Sequence, residues 1–142
     1  MRRMTARAGF AEGAVEFRHA TSDYLAQYMD IDIALDTYPY PGGGTTCDAL
    51  YMGTPVVTRY GRRFGSRFGL SLLSAAGIPE LAAATPEEYV EKAAALAREP
   101  ELLAALQESL RTSMEASPLM DGAGYAREAE GLYEAAWRTW LQ

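Results

Sequence analysis

Three consecutive glycines, Gly42, Gly43 and Gly44, followed by Thr45, Thr46 and Asp48, are the residues of this chain best equipped for chemistry. Glycines leave backbone N–H groups bare, so that a ligand can approach them closely, and successive bare amides make an anion-binding concavity. The two threonines add hydroxyls at what reads as the start of a helix, where the backbone dipole favours negative charge. A glycine-rich turn between a strand and a helix in this way points to nucleotide or nucleotide-sugar binding. Each residue also has a structural use: threonines cap helices, and Thr45-x-x-Asp48 has the spacing of a capping box.

Other polar residues compete for roles. Asp32 and Asp36 flank the strand before the turn, and Asp36, at its carboxyl end, is placed to hold the glycine loop by accepting from its N–H groups. The two aspartates share a strand face only approximately, which argues against an acid–base pair. Arg59, Arg62, Arg63 and Arg67 follow the next strand. Fixed positive charge suits a departing diphosphate, and Arg67 is the candidate for that task, with a solvated loop as the alternative. Cys47 has no adjacent base to activate it and reads as a small apolar residue at the helix start. One histidine, His19, and one cysteine do not supply the ligands of a zinc site.

Regular elements must position these groups. Residues 31–35 read as a strand. The loop 37–44, with Pro39, Pro41 and the glycines, cannot be helix. A helix is predicted over 45–52, closed by Gly53, and a second strand over 55–58. Upstream, the pattern predicts a helix over 2–12 ended by Gly13, a strand over 14–18, and a helix over 23–29 with Tyr24, Leu25 and Tyr28 on one face. Downstream come a helix over 66–76 ended by Gly77 and a short strand over 80–83. Thr85, Pro86 and Glu88 start a helix reaching residue 98. Another follows over 101–116, and Asp121 caps a last one through 140. Tyr125, Tyr133, Trp137 and Trp140 form an aromatic stripe along it. Strands alternating with helices predict an α/β fold, a parallel sheet with flanking helices and a helical C-terminal tail. The expected division is a lobe over 1–116 and a C-terminal helical segment over 117–142.

Composition narrows the function. The 142 residues suffice for one domain, and 13 basic against 19 acidic residues give a net charge of −6. That balance argues against nucleic acid as a partner. No apolar run is long enough to span a membrane, no signal peptide is visible, and a lone cysteine suits a reducing compartment, so a cytoplasmic location is expected.

From Leu35-Asp36-Thr37-Tyr38-Pro39-Tyr40 through Thr45-Thr46-Cys47-Asp48 to Gly53-Thr54-Pro55-Val56-Val57-Thr58, the sequence resembles a known family. Ser66-Arg67-Phe68-Gly69-Leu70, Gly77-Ile78-Pro79-Glu80-Leu81 and Ser117-Pro118-Leu119 extend the likeness. It is similar to the C-terminal catalytic lobe of the O-GlcNAc transferase and SPINDLY protein O-glycosyltransferases, especially bacterial members with tetratricopeptide repeats. The resemblance implies a partial Rossmann-like lobe of a two-lobed GT-B enzyme. Its chemistry would be inverting, free of metal or other cofactor, with a UDP- or GDP-sugar as donor and serine or threonine of a protein as acceptor. It implies donor diphosphate binding by Gly42, Gly43, Gly44, Thr45 and Thr46, and ribose binding by Asp48. It also places Ala20, Thr21 and Tyr24 near the base, although Tyr24 also suits packing against the sheet.

The same resemblance implies that the acceptor cleft, the histidine discussed as a base and the phosphate lysine lie upstream of what is present. The single lysine, Lys92, does not match that lysine. A partial, inactive lobe is therefore expected. A non-catalytic reading stands beside it: a nucleotide-binding or interaction module, with exposed sheet edges that rearrange or associate into a homo-oligomer. On either reading the aromatic stripe docks on the lobe or on a second lobe.

Overall fold

The computed structural model describes residues 2–19 and 21–142. Helix α1 covers Arg2–Arg7 and is shorter than the sequence pattern implies. The reason is Gly9, whose φ of 83° is left-handed and ends the helix before the second such glycine, Gly13. Residues 14–18 do not form the expected strand. A strand needs a hydrogen-bonded neighbour, and none pairs with this segment among the described residues. Ion pairs hold it instead, from Arg18 to Glu16 at 3.0 Å and to Asp30 at 2.8 Å. The next element is a 3-10 turn over Leu25–Asp30 rather than an α-helix.

Three short parallel strands make the sheet: β1 (Ala34–Leu35), β2 (Val56–Arg59) and β3 (Ala82–Ala83), in the order β1-β2-β3. Ala34 is paired with Val56 and Thr58 with Ala82, so β2 is central and β1 keeps one open edge. Both outer strands are shorter than their apolar runs, because pairing extends only as far as β2 reaches alongside them.

Helices α2 (Gly44–Tyr51) and α3 (Phe68–Ala75) are the crossovers between strands. Helices α4 (Pro86–Arg98) and α5 (Pro100–Glu115) complete the body. Leu50, Leu73, Leu110, Met114 and Val57 are fully buried and bring together α2, α3, α5 and β2. Gly53 shows why the α2 terminus needs glycine: φ is 85°, and a Cβ would stand 3.0 Å from the Gln107 carbonyl oxygen of α5. Lys92 is half-buried on α4 and donates to the Ala82 carbonyl at 2.6 Å.

The caps read from sequence are present. Thr85 Oγ1 accepts from Glu88 N–H at 3.1 Å, and the Glu88 carboxylate accepts from Ala84 N–H at 2.8 Å. Asp121 accepts from Gly124 N–H at 2.8 Å and starts helix α6 (Gly122–Trp140). No residue of α6 is buried, and Tyr125, Tyr133, Trp137 and Trp140 are exposed, so the stripe does not pack down on the body. Trp137 and Trp140 stack on each other at 5.1 Å. The result is an α/β fold with a parallel sheet, flanking helices and a helical tail.

Replacing Thr85 by Ala removes the cap of α4 and should lower stability by about 1 kcal/mol. Urea denaturation with an unchanged transition slope would report it; an unaltered midpoint would show that the cap contributes nothing.

Candidate functional site

Asp36, just beyond β1, organises the carboxyl edge of the sheet. Its Oδ1 accepts from Thr37 N–H at 2.9 Å and from Gly42 N–H at 2.7 Å. Its Oδ2 accepts from the Thr58 hydroxyl of β2 at 2.7 Å. From α4, the Tyr89 hydroxyl donates to the Asp36 carbonyl at 2.9 Å. Burial, and then the nearby Asp36 charge, raise the pKa of the Tyr89 phenol, which keeps it a donor. Gly69 of α3 lies so close that a Cβ would collide with Thr58 Oγ1 and stand 2.9 Å from Asp36 Oδ2. The loop-holding role expected of Asp36 is therefore present. Sequence pattern alone assigns no such role to Thr58, Gly69 or Tyr89. A glycine at the start of a helix was the one available sign, since it marks a close approach.

The turn that Asp36 holds also bends by a Thr37 hydroxyl bond to the Tyr40 carbonyl at 2.6 Å and contains a cis Tyr38-Pro39 bond. Gly42 is packed tight: a Cβ there would be 2.6 Å from the hydroxyls of both Thr45 and Thr46. Gly43 and Gly44 differ, since nothing lies within 4 Å of a Cβ at either. Gly43 is the N-cap of α2 and its carbonyl accepts from Thr46 and Cys47 N–H, both at 3.1 Å. The N–H groups of Gly43, Gly44 and Thr45 have no acceptor among the described residues. Two clefts border this point. One, about 220 Å³, lies against β1 and includes Asp36, Gly42, Thr45, Thr46 and Tyr28. The other, also about 220 Å³, runs between Gly43 and Phe68, Ser71 and Leu72 of α3.

The capping alternatives are corrected here. With Gly43 as N-cap, Thr45 and Thr46 already lie inside α2, and no side chain caps the helix. Asp48 is not half of a capping box; its carboxylate accepts from the Tyr24 hydroxyl at 3.1 Å. That bond, and then the Asp48 charge, raise the Tyr24 pKa. Tyr24 is exposed rather than packed on the sheet, while Tyr28 does pack on the core and donates to the Thr45 carbonyl at 3.3 Å. Thr21 is exposed and accepts from Gln27 at 3.0 Å, and Ala20 lies outside the described residues. The structure thus brings Tyr24 and Asp48 together on the side of α2, but neither of them, nor Thr21, lines the cleft against β1.

Arg67 is also apart from that cleft. It donates to the Gly61 carbonyl at 3.2 Å and lies over the Tyr60 ring at 5.5 Å. Arg59 stacks over Tyr38, with its guanidinium carbon 3.9 Å from the ring centroid. His19 is exposed and lends only its carbonyl, to Gln27. No three His, Cys, Asp or Glu side chains converge among the described residues. A cavity of about 820 Å³ lies between α1 and the segment carrying Phe10 and Phe17, and shares no residue with the glycine turn.

Residues 5–129 match the family model described as Glycosyl transferase family 41. The chain belongs to that family. Over 118 residues it is 44% identical to a tomato (Solanum lycopersicum) protein described as a probable UDP-N-acetylglucosamine–peptide N-acetylglucosaminyltransferase SPINDLY. That match takes in 83% of this chain and 13% of the tomato protein. A Caenorhabditis elegans UDP-N-acetylglucosamine–peptide N-acetylglucosaminyltransferase is 33% identical over 92% of this chain and 11% of its own length. A mutant O-GlcNAc transferase of Thermobaculum terrenum superposes with a TM-score of 0.88 at 40% identity, covering 96% of this chain and 27% of that one. The family 41 chain therefore spans about an eighth of the length of the curated relatives it matches. The GT-B-type lobe expected from the sequence is the fold observed.

Two outcomes follow from the geometry. Replacing Asp36 by Ala leaves the Gly42 amide and the Thr58 hydroxyl without their acceptor and should cost about 2–3 kcal/mol in chemical denaturation; a loss well below 1 kcal/mol would remove Asp36 from its central place. Burial, and secondly the Asp48 charge, push the Cys47 thiol pKa up. Its thiolate fraction at pH 8 is therefore reduced, and iodoacetamide should modify it severalfold more slowly than a free thiol such as glutathione. Asp48→Asn removes the repelling charge and should speed the reaction; an unchanged rate in that variant would contradict the assignment.

Proposed function

We propose that the glycine turn and the start of α2 bind the diphosphate of a nucleotide-sugar donor for protein O-glycosylation. The observation that carries this reading is the set of three adjacent N–H groups, on Gly43, Gly44 and Thr45, left without acceptors among the described residues where α2 begins, with one cleft at Thr45 and another at Gly43. The first amides of a helix have no partner within it, and with the dipole behind them they suit phosphate oxygens. The Thr45 and Thr46 hydroxyls stand beside them. Asp48 would accept from the ribose, with Tyr24 exchanging its present bond for a place beside the base. Membership of family 41, and relatives described as using UDP-N-acetylglucosamine, support UDP-GlcNAc as donor and a protein hydroxyl as acceptor.

Donor binding in this reading is separate from transfer. Direct displacement at the anomeric carbon needs a base near the acceptor hydroxyl. Asp36 is already committed to three donors, and His19 does not line the cleft. We therefore infer that the 142 residues hold a donor without transferring its sugar. Arg67 would stabilise the leaving group only after releasing the Gly61 carbonyl to reach the departing diphosphate. A second reading, self-association, is favoured by one observation: β1 is an open edge, and Leu35 on it is 60% exposed.

Gly43→Ala separates binding from folding. A methyl group there meets nothing in the protein, yet it stands where phosphate oxygens would approach. As the N-cap at ψ −88°, Gly43 is also the better residue for the helix start, so the variant should stay folded with a modestly lower melting temperature, while its affinity for UDP, read by calorimetry well below that temperature, falls about tenfold, or about 1.4 kcal/mol. UDP at a hundred times its Kd should stabilise the parent by about 2.7 kcal/mol, with GDP as the comparison. Absence of any stabilisation by millimolar nucleotide, or a UDP response indifferent to Gly43→Ala, would defeat the proposal.

A further inference from the structure

Between Asp48 and Glu80 the chain carries four arginines and no acidic residue, although its net charge is −6. Two of the four are occupied, Arg59 by the Tyr38 ring and Arg67 by the Gly61 carbonyl. Arg62 and Arg63 are exposed, and neither side chain makes a hydrogen bond or ion pair among the described residues. The next residue is Phe64, 81% exposed, more than any other large apolar side chain described.

This exposure is built, not frayed. Ser66 donates to the Arg63 carbonyl twice, from N–H at 3.0 Å and from its buried hydroxyl at 2.8 Å. Arg67 N–H reaches the Phe64 carbonyl at 3.0 Å, and Gly61 N–H the Ser66 carbonyl at 3.3 Å. The Phe64 ring meets Phe68 edge-on, with centroids 5.3 Å apart. Beside it a groove of about 520 Å³ passes along Phe68, Leu70, Ser71 and Ser74 of α3, with Arg67 at its rim. A fixed aromatic ring loses little freedom on binding, and aromatic and arginine side chains are the usual anchors of protein interfaces.

We propose that the loop from Arg62 to Arg67 and the adjoining face of α3 dock an acidic segment of a separate protein. Carboxylates pair with Arg62 and Arg63, and an apolar side chain enters the groove beside Phe64. Charge complementarity selects this occupant, since the loop and α3 themselves carry cations and no acidic residue. A nucleic acid fits less well: the whole chain is acidic and repels a dense polyanion, and the groove is apolar. Phe68 and Ser71 line both this groove and the cleft at Gly43, but the anchors Arg62, Arg63 and Phe64 line neither cleft at the glycine turn, so the docking contacts are separate from the donor amides.

The test is fluorescence anisotropy of the 142-residue chain with a short labelled peptide of glutamates around one leucine, against the same peptide with lysines. The glutamate peptide should bind at least tenfold more tightly, and its affinity should fall about tenfold in Arg62→Glu/Arg63→Glu and in Phe64→Ala. All three side chains are exposed, so the circular dichroism and melting of these variants should match the parent. Saturating UDP should leave the peptide bound. Equal binding of the two peptides, or indifference to the substitutions, would overturn the proposal. So would displacement by UDP, which would give the surface to the donor site. Tighter binding of an RNA oligonucleotide at the same salt would assign it to nucleic acid, and self-association lost in the arginine double variant would assign it to a second copy.

Discussion

One carboxylate joins the parts of this protein that have to stay in register. Asp36 takes an amide from its own loop, an amide from the glycine turn and a hydroxyl from β2, with the bonds to Gly42 and Thr58 at 2.7 Å. Charge-assisted hydrogen bonds of this length are stronger than neutral ones, and partial burial strengthens them further. Because Asp36 claims the amide of Gly42, the turn is fixed at its first glycine. The three amides that follow stay unclaimed at the head of α2. Gly69 lets α3 approach the same carboxylate, and Tyr89 binds its backbone from α4. A change anywhere in this set moves the turn relative to the sheet.

Local chemistry was the legible part of the sequence. The caps at Thr85 and Asp121 and the glycine after α2 act within a few residues of their own helix, and each stands where its pattern placed it. Strand extent was not legible, since it depends on a neighbour elsewhere in the chain. Residues 14–18 have strand composition and no partner, and β1 and β3 pair over two residues each. Tyr24 was misjudged for a similar reason. Its spacing with Tyr28 assumed 3.6 residues per turn, while the segment winds as a tighter 3-10 turn and Tyr24 meets Asp48 instead.

The candidate site divides along the same line. The glycine turn announces itself by composition, and the role of Asp36 could be read from its place at a strand end. Its contacts with Thr58 and Tyr89 span 22 and 53 residues and exist only in the folded chain. The arginines after β2 were visible as a cluster, but their separation into occupied and unoccupied members was not. Arg59 and Arg67 are held by aromatic rings and a carbonyl, and only the structure distinguishes them from Arg62 and Arg63. The outcome is two electropositive surfaces of different kinds on adjoining loops. One is made of backbone amides, whose geometry is rigid and short in reach; the other is made of full charges that act over a Debye length.

Lys92 has a practical bearing of its own. It is the sole lysine of the sequence, half-buried, with its ammonium fastened to the last strand through the Ala82 carbonyl. Reagents and enzymes that acylate or conjugate side-chain amines would have to pull that group off the sheet before reacting. A body so poor in accessible amines is a difficult target for amine-directed crosslinking and for ubiquitin attachment, whereas its twelve arginines leave guanidinium-directed chemistry open.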